Sequence, residues 1–432
     1  MQSNRWLFCG FVHLLVSYSW NLGELVRSGK HEATCVCLVP VQLLLPLMRV
    51  DKLLSQRQSY FKQVCGGTLS GTTSGTHLGK YMDASIAIIL AQDGITSGAI
   101  YALLALALVL VFSVTRVIFI PQGEFVAFGA LTMAALQGDK FPLSATLLVA
   151  LGCLSFVQEV WSIVSTSEAR LSAGRSIPLA ALKFVLLPIA IYALTHYYGH
   201  ANLPMALQVL LTLLIVVPMG PMIYRLAFQP LAEASTLVLL IVAVGVHYAL
   251  MGIGLLMFGA EGSRTLPFSD ARFEIGGLAV TGQSTVIIGV SVVLILALYM
   301  YFERTLSGKA LRATAVNRLG ARLVGIGTTQ AGRLAFTLAA GLGALCGVLI
   351  APLTTIYYDS GFLIGLKGFV GAIIGGLGSY PIAAAGALLV GLLESYSSFW
   401  ASAFKEVIVF TLIIPVLLWR SLTSKHVDEG DQ

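Results

Sequence analysis

The sequence predicts an all-α fold, a polytopic integral membrane helical bundle, and three observations carry that prediction. Of its 432 residues, 57% are hydrophobic and only 11% charged, with a mean hydropathy of +0.87; soluble domains carry about 25% charged residues. Runs such as Ile86 to Phe112, Thr236 to Phe258 and Ser284 to Phe302 reach or approach the ~20 residues that cross a bilayer. Short polar loops separate the runs, and one of them is conspicuously basic. Between Phe302 and Ala335 stand Arg304, Lys309, Arg312, Arg318, Arg322 and Arg333 against a single acid, Glu303.

The first 81 residues read differently from the rest. They hold two short apolar stretches, Trp6–Trp20 and Thr34–Val50, and a polar Gly/Ser/Thr stretch from Gly66 to Gly79. Neither apolar stretch makes a convincing span. The first has a weak basic n-region and no small-residue cleavage site, so it is a poor signal peptide. Met82 opens almost directly onto Ile86-Ala-Ile-Ile-Leu90. Residues 1–81 are therefore expected to be a non-native N-terminal extension or a disordered segment, with the biological start at Met82 and the transmembrane domain over 82–432.

From Met82 onward, spans are predicted at 84–112, 117–136, 142–158, 177–195, 204–224, 235–258, 284–302, 332–351, 361–378, 382–398 and 404–419, two of them candidates for half-spans or re-entrant segments. The Lys/Arg bias of short loops sets orientation. Placing 303–331 inside also places Arg116, the 159–176 loop with Arg170 and Arg175, Arg225, and the Arg420/Lys425 tail inside. The same parity puts 259–283 outside.

Charge and cysteine exclude several functions. Residues 1–81 hold eight Lys/Arg against three Asp/Glu, so most of the +6 net charge lies there. No aromatic-interleaved basic stripe marks a nucleic-acid binder, and none is expected as a partner. Four of the six cysteines, Cys9, Cys35, Cys37 and Cys65, fall in the first 81 residues. Cys35-x-Cys37 has the wrong spacing for a zinc knuckle and lacks a partner pair, while Cys153 and Cys346 sit in apolar runs as small hydrophobes. No metal and no cofactor is expected. The string Gly75-Thr-His-Leu-Gly79-Lys80-Tyr81 is one residue short of a phosphate loop and lacks its Ser/Thr. With no His-Glu-x-x-His pair and no Gly-x-Ser-x-Gly elbow, there are no catalytic residues to assign, and the chain does not read as an enzyme.

Three groups of residues remain as functional candidates. Gly308-Lys-Ala-Leu-Arg-Ala-Thr-Ala315, followed by Ala321-x-x-Val-Gly-Ile-Gly327, reads as a short polar helix and then a Gly-rich stop. It is either a cytosolic helix that inserts into a soluble partner or an ordinary positive retention loop, and spacing does not choose between them. The Gly-rich block from Gly341 to Gly391 holds Gly343-x-x-x-Gly347, Gly361-x-x-x-Gly365 and Gly371-x-x-x-Gly375, spacings that let membrane helices approach closely. Ionisable groups at membrane depth are costly, so each is a candidate for function. These are Glu124 after Pro121-Gln122-Gly, Lys367 between Phe362 and Phe369, and Glu394 within Ala387–Tyr396. Lys367 and Glu394 could instead pair across helices, with Lys405 and Glu406 at the interface.

At these residues the chain resembles the integral permease subunits of branched-chain amino acid ABC importers, and most of all the first of their two permease types. Gly94-Ile-Thr-Ser-Gly-Ala-Ile-Tyr-Ala-Leu103 resembles the family's first-span signature. Gln122-Gly-Glu124 is similar to the end of an Asn-Phe-Ala-His-Gly-Glu motif. Gly308–Ala315 with Leu323-Val-Gly-Ile326 resembles its cytoplasmic coupling loop. Lys367-Gly-Phe through Gly375-Gly-Leu-Gly-Ser379, then Gly391-x-x-Glu394, is similar to its C-terminal signature. The likeness covers residues 90–152 and 218–420. Three departures stand out: Phe119-Ile-Pro-Gln122 replaces Asn-Phe-Ala-His, residues 153–205 look like an insertion with extra apolar segments, and the long N-terminus has no counterpart.

The resemblance implies a permease subunit in the bacterial inner membrane, moving branched-chain or related small amino acids, or amides such as urea. Its implied partners are a second permease subunit, two ATP-binding cassette subunits, a periplasmic substrate-binding protein, the small-molecule substrate and membrane lipid. Translocation-path candidates are Gln122, Glu124, Lys367 and Glu394. Coupling to the ATPase would fall to Gly308, Ala310, Arg312, Ala315 and Gly325 within the cytoplasmic loop 303–331, and helix packing to Gly343, Gly347, Gly371 and Gly375. The alternative class is a stand-alone secondary transporter or channel using Glu124, Lys367 and Glu394 as an ion relay.

Overall fold

The computed structural model describes residues 84–165, 173–198, 203–275 and 278–423. The readings of residues 1–81 and of a start at Met82 lie outside the described residues, as do Arg170 and Lys425. The chain is built almost wholly from helices. At its centre is α1, Ala84–Thr115, 32 residues long, or about 48 Å at 1.5 Å per residue. From Ala99 to Phe112 it is almost wholly apolar on every side, and such a stretch belongs in the interior; every residue from Ile100 to Val111 is buried.

The segment predicted as a span over 117–136 is only half a span. Residues 116–121 are not helical, and α2 begins at Gln122 and ends at Gln137, 16 residues later. Pro121 is the cause, because the residue before a proline is pushed out of the helical region. Val117 and Phe119 are buried while Ile118 and Ile120 are half-buried, the alternation of extended chain. A second half-length helix, α11, covers Ser360–Ile374. It stops short of the predicted 378 in a turn where Gly376 (φ 67°) and Leu377 (φ 57°) are left-handed. At about 24 and 22 Å, neither helix covers the ~30 Å hydrocarbon core. The two lie antiparallel and overlap near their N-termini: a Cβ on Gly365 would stand 2.8 Å from the Gly123 Cα, and one on Gly361 3.0 Å from the Ala127 Cβ.

The remaining long helices surround this core. They are α3, Ser144–Ser165; α4, formed by Ala173–Ala181 and Leu187–Tyr198 about a π turn at Leu182–Leu186; α5, Met205–Leu231; α6, Thr236–Phe258; and α7, Gly282–Arg304. Two short helices follow, α8 at Leu306–Val316 and α9 at Arg318–Leu323, then α10 at Thr328–Ile350 and, after α11, α12 at Tyr380–Trp400. The final predicted span is broken at Leu412 into α13, Lys405–Thr411, and α14, Ile413–Thr423. Among the described residues, eight helices are long and apolar enough to cross a membrane: α1, α3 to α7, α10 and α12. Of the eleven predicted spans, α2 and α11 are half-length and the terminal segment is broken, which leaves these eight.

Burial separates an inner from an outer layer. The apolar window of α1 is 83% buried and that of α10 67%, whereas α7 buries 11% and α4 22%. The outer helices thus present apolar faces with no protein against them, as lipid contact requires. The π turn of α4 has a local reason: Pro188 has no N–H for the Phe184 carbonyl, and the helix widens one turn before it. Residues 153–205, read as an insertion, supply the end of α3, all of α4 and the start of α5. A hairpin of β1, Arg272–Ile275, and β2, Leu278–Thr281, pairs Arg272 with Thr281 and Ile275 with Leu278.

Hydrogen bonds gather the loops at two ends. At one, Arg318 donates to the Ala232 carbonyl and the Ser113 and Tyr380 hydroxyls lie 3.4 Å apart. At the other, the Leu266 N–H donates to Gln137 and the backbones of Ser263 and Ile356 pair.

Candidate functional site

The chemistry-bearing side chains fall into two buried clusters and one exposed loop. The first cluster is built on the opening turn of α2. Gln122 Nε2 donates to the Ala339 carbonyl of α10 at 2.9 Å, which fixes the orientation of the amide, and Gln122 Oε1 has no partner. Two residues on, Glu124 is fully buried. Its Oε1 lies 2.9 Å from His247 Nδ1 of α6, at ion-pair distance but not aligned for a hydrogen bond, and neither carboxylate oxygen finds another partner among the described residues. Phe362, in the first turn of α11, covers the imidazole with ring centroids 4.7 Å apart. Both half-length helices thus bring their first turns to one buried acid.

Four helices converge on the second cluster. Lys367 of α11 lies 2.6 Å from Glu394 Oε1 of α12 and 3.1 Å from Glu406 Oε1 of α13. The Tyr101 hydroxyl of α1 donates to Glu394 Oε2 at 2.7 Å. Lys367 and Glu394 are thus paired across helices. Glu406, expected at the membrane interface, instead reaches inward to the same ammonium. One cation serves two carboxylates, so any movement of α13 against α11 and α12 must break a charged contact.

The basic loop folds as a capped pair of helices rather than a single one. Thr305 donates its hydroxyl to the Tyr301 carbonyl at 2.7 Å and accepts the Gly308 N–H at 3.0 Å, turning α7 into α8. Gly308 sits on that corner, where a Cβ would come within 2.7 Å of the Phe302 Cα. Asn317 caps α9 by accepting the Gly320 N–H. The stop is a Schellman motif: Ile326 N–H bonds the Ala321 carbonyl and Gly325 N–H the Arg322 carbonyl, with Gly325 at φ 84°. Leu311, Thr314 and Ala321 anchor the pair inward, whereas Ala310 and Ala315 are half-buried.

The arginines of this loop are partly committed within the chain. Arg312 pairs with Glu303 at 2.5 Å beside a crevice of about 530 Å³ that Phe302 and Tyr380 also border. Arg322 bonds Thr328 and Glu233. Large aliphatic side chains of the loop stand exposed: Leu306 and Val316 are each 86% exposed, Leu323 82% and Val324 75%.

The glycines expected at helix contacts stand at close approaches. A Cβ on Gly343 would lie 2.9 Å from the Phe125 Cβ, and one on Gly347 would enter the Val126 carbonyl and lie 3.0 Å from the Ala130 nitrogen. Gly371 and Gly375 face Ala387 and Ala383, each 2.6 Å from a built Cβ. Sequence reasoning missed His247, Tyr101 and the inward reach of Glu406. The signal for His247 was present, since it is a titratable ring in the middle of the apolar run Thr236–Phe258. Among the described residues, no three His, Cys, Asp or Glu side chains converge to hold a metal ion.

Comparison with known proteins places this arrangement. The family described as branched-chain amino acid transport system / permease component matches residues 90–417. The high-affinity branched-chain amino acid transport system permease protein LivH of Escherichia coli is 32% identical over 206 residues, covering 46% of this chain and 67% of that protein. The corresponding permease protein BraD of Pseudomonas aeruginosa is 26% identical over 342 residues, 76% of this chain and 92% of that protein. A probable branched-chain amino acid transport permease protein of Methanocaldococcus jannaschii is 28% identical over 190 residues, 42% of this chain and 60% of its own. No solved structure matches. The chain is a multi-pass helical membrane protein and belongs to the branched-chain amino acid transport system permease component family.

Proposed function

We propose that this protein is the integral permease subunit of an ABC importer in a bacterial inner membrane. It forms part of the translocation path for branched-chain or related small amino acids and is driven by separate ATPases. The working assembly pairs it with a second permease subunit, two ATP-binding cassette subunits and a periplasmic binding protein that delivers substrate. ATP binding closes the cassettes, that motion pushes on α8 and α9, and the paired permeases rock so that the path opens to alternate sides.

The observation that carries this reading is the apolar surface of α8 and α9. Leu306, Val316, Leu319, Leu323 and Val324 stand exposed on short helices beyond the long spans, among basic side chains. A loop needed only for retention has no reason to expose five large aliphatic side chains to water, whereas a docking helix does. The ion-relay alternative gains no support. Glu124 belongs to one cluster and Lys367 with Glu394 to another, with no member in common.

The test is Leu323→Asp, scored by co-purification of the ATPase and by uptake into proteoliposomes. A charge on the exposed face of α9 is expected to cut ATPase recovery and uptake at least tenfold while the protein still inserts. Wild-type ATPase recovery and uptake in this variant would overturn the docking assignment.

A further inference from the structure

Three cations from three helices gather at one depth, on the side of the basic loop. Lys183 of α4, Arg225 of α5 and Arg333 of α10 each stand five or six residues inside the near end of an apolar span, as does Glu159 of α3. At 1.5 Å per residue that is about 7–9 Å. Phe184 joins two of them: the Arg225 guanidinium lies 4.8 Å and the Lys183 ammonium 5.5 Å from its ring centroid. Arg333 is close enough to repel both. Glu159 pairs with Arg225. Among the described residues no acid pairs with Lys183 or Arg333, so the cluster carries three positive charges against one negative. The backbone is specialised at the same place. Lys183 and Phe184 lie in the π turn of α4, and Arg225 lies in a second π turn, Tyr224–Phe228 within α5; such widened turns recur at functional sites.

We propose that Lys183 and Arg333, backed by Arg225, bind the phosphate headgroup of an anionic phospholipid in the leaflet beside the basic loop. The proposal needs the membrane fold but not the transport reading. Lys183 shows from which side the anion comes. It is exposed on α4 among Leu179, Leu182 and Leu186, themselves 63%, 55% and 57% exposed, on a span of which only 22% is buried. An ammonium on a lipid-facing surface is costly unless its stem carries it to the headgroups or an anion meets it there. Arg225 is 8% exposed and already held by Glu159 and Phe184, so it adds charge from behind. The exposed Lys183 and half-buried Arg333 make the contact. From there the acyl chains run toward the bilayer centre along Leu186 and Ile189, both exposed. Basic pockets between spans on the cytoplasmic side are where anionic headgroups bind. A zwitterionic headgroup fits less well, because its own ammonium meets an excess of positive charge.

The experiment is native mass spectrometry of the full-length detergent-solubilised protein, titrated with phosphatidylglycerol or with phosphatidylcholine of the same acyl chains. The wild type is expected to bind phosphatidylglycerol about tenfold more tightly. Lys183→Gln and Arg333→Gln should each lower that preference about fivefold. Lys140→Gln, at an exposed residue near the opposite end of the spans, should leave it unchanged. Equal binding of the two lipids by the wild type would overturn the site. A preference that survives both substitutions would be general attraction to anionic lipid and would overturn it too. Displacement of phosphatidylglycerol by millimolar inorganic phosphate would make this a free-phosphate site and overturn the lipid assignment. Should Arg333→Gln fail to fold, Lys183→Gln at its exposed position decides alone. No readout involves uptake, so failure of the transport reading would leave this result standing.

Discussion

Replacing Lys367 with methionine removes the one cation that serves Glu394 and Glu406. At the observed separations of 2.6 and 3.1 Å, the two attractions come to about 6 and 5 kcal/mol at an effective dielectric of about 20. Taking each ion out of water costs several kcal/mol, so the net value of the group is far smaller than that sum. The substitution does something worse than delete it: two carboxylates remain beside each other, with only the Tyr101 hydroxyl donating to one of them. Removing one partner of a buried pair typically costs about 3–5 kcal/mol, a large part of a ~5–15 kcal/mol stability margin. Glu394→Gln should cost less, because the ammonium keeps Glu406 and Tyr101 can still donate to the amide oxygen. Lys367→Met combined with Glu394→Met leaves Glu406 stranded and should recover only part of the loss; adding Glu406→Gln should recover more. The assay is the apparent melting temperature of the detergent-solubilised protein, with membrane yield measured alongside. A Lys367→Met protein that melts with the wild type, or a triple variant no better than the single, would refute the reasoning.

Two further substitutions probe packing and the loop. Gly347→Ala drives a methyl group into the Val126 carbonyl, whereas Gly289 on the lipid-facing side has nothing within 4 Å of a built Cβ. The first should abolish assembled protein, and Gly289→Ala should be neutral or stabilising by about 0.5–1 kcal/mol, as read from membrane yield and melting. Arg312→Glu sets a carboxylate against Glu303 and should cost uptake more than insertion. The exchange Arg312→Glu with Glu303→Arg is expected to restore at least half of the uptake; no recovery in transport assays would mean that the guanidinium itself is needed by the partner.

Much of this architecture was legible in the order of residues, for identifiable reasons. Long apolar runs have no stable home except a bilayer or a deep core, so the helices and their approximate limits followed. The half-length of α2 and α11 did not, because apolarity is the same in a whole and a half span. Only punctuation distinguishes them, Pro121 before one and Gly375-Gly376 after the other. The pairing of Lys367 with Glu394 was readable because two opposite charges in apolar runs must be compensated somewhere. Glu406 was not, since an acid at the start of a run reads equally well as interfacial. The loop's basic residues drew attention to it, yet those arginines largely fasten the loop to its own chain. The aliphatics exposed between them were not legible in composition, because exposure is a property of the folded corner at Thr305 and Asn317.

The packing of α10 joins α9 to the first turn of α2. That helix starts directly after the Schellman stop, and Arg322 of α9 bonds the Thr328 side chain at its first residue. Eleven residues on, or about 16 Å along the axis, its Ala339 carbonyl holds Gln122. Between them, the rings of Phe336 and Phe119 meet at 58° with centroids 4.5 Å apart. Beyond, Gly343 rests against the Phe125 Cβ and the Gln122 side chain, and Gly347 against the backbone of Val126 and Ala130 in α2. A helix transmits displacement along its axis with little loss, because each turn is hydrogen-bonded to the next, and a smooth small-residue face resists sliding less than an interlocked one. The half-helix, in turn, is continuous with α1 only through the extended segment 116–121, but it packs closely on α11 at Gly361 and Gly365, and α10 itself meets α1 where Cys346 Sγ lies against the Ile100 carbonyl. One side of α10 therefore connects the loop to Gln122, whereas the Lys367 cluster ties α1, α11, α12 and α13 to one another.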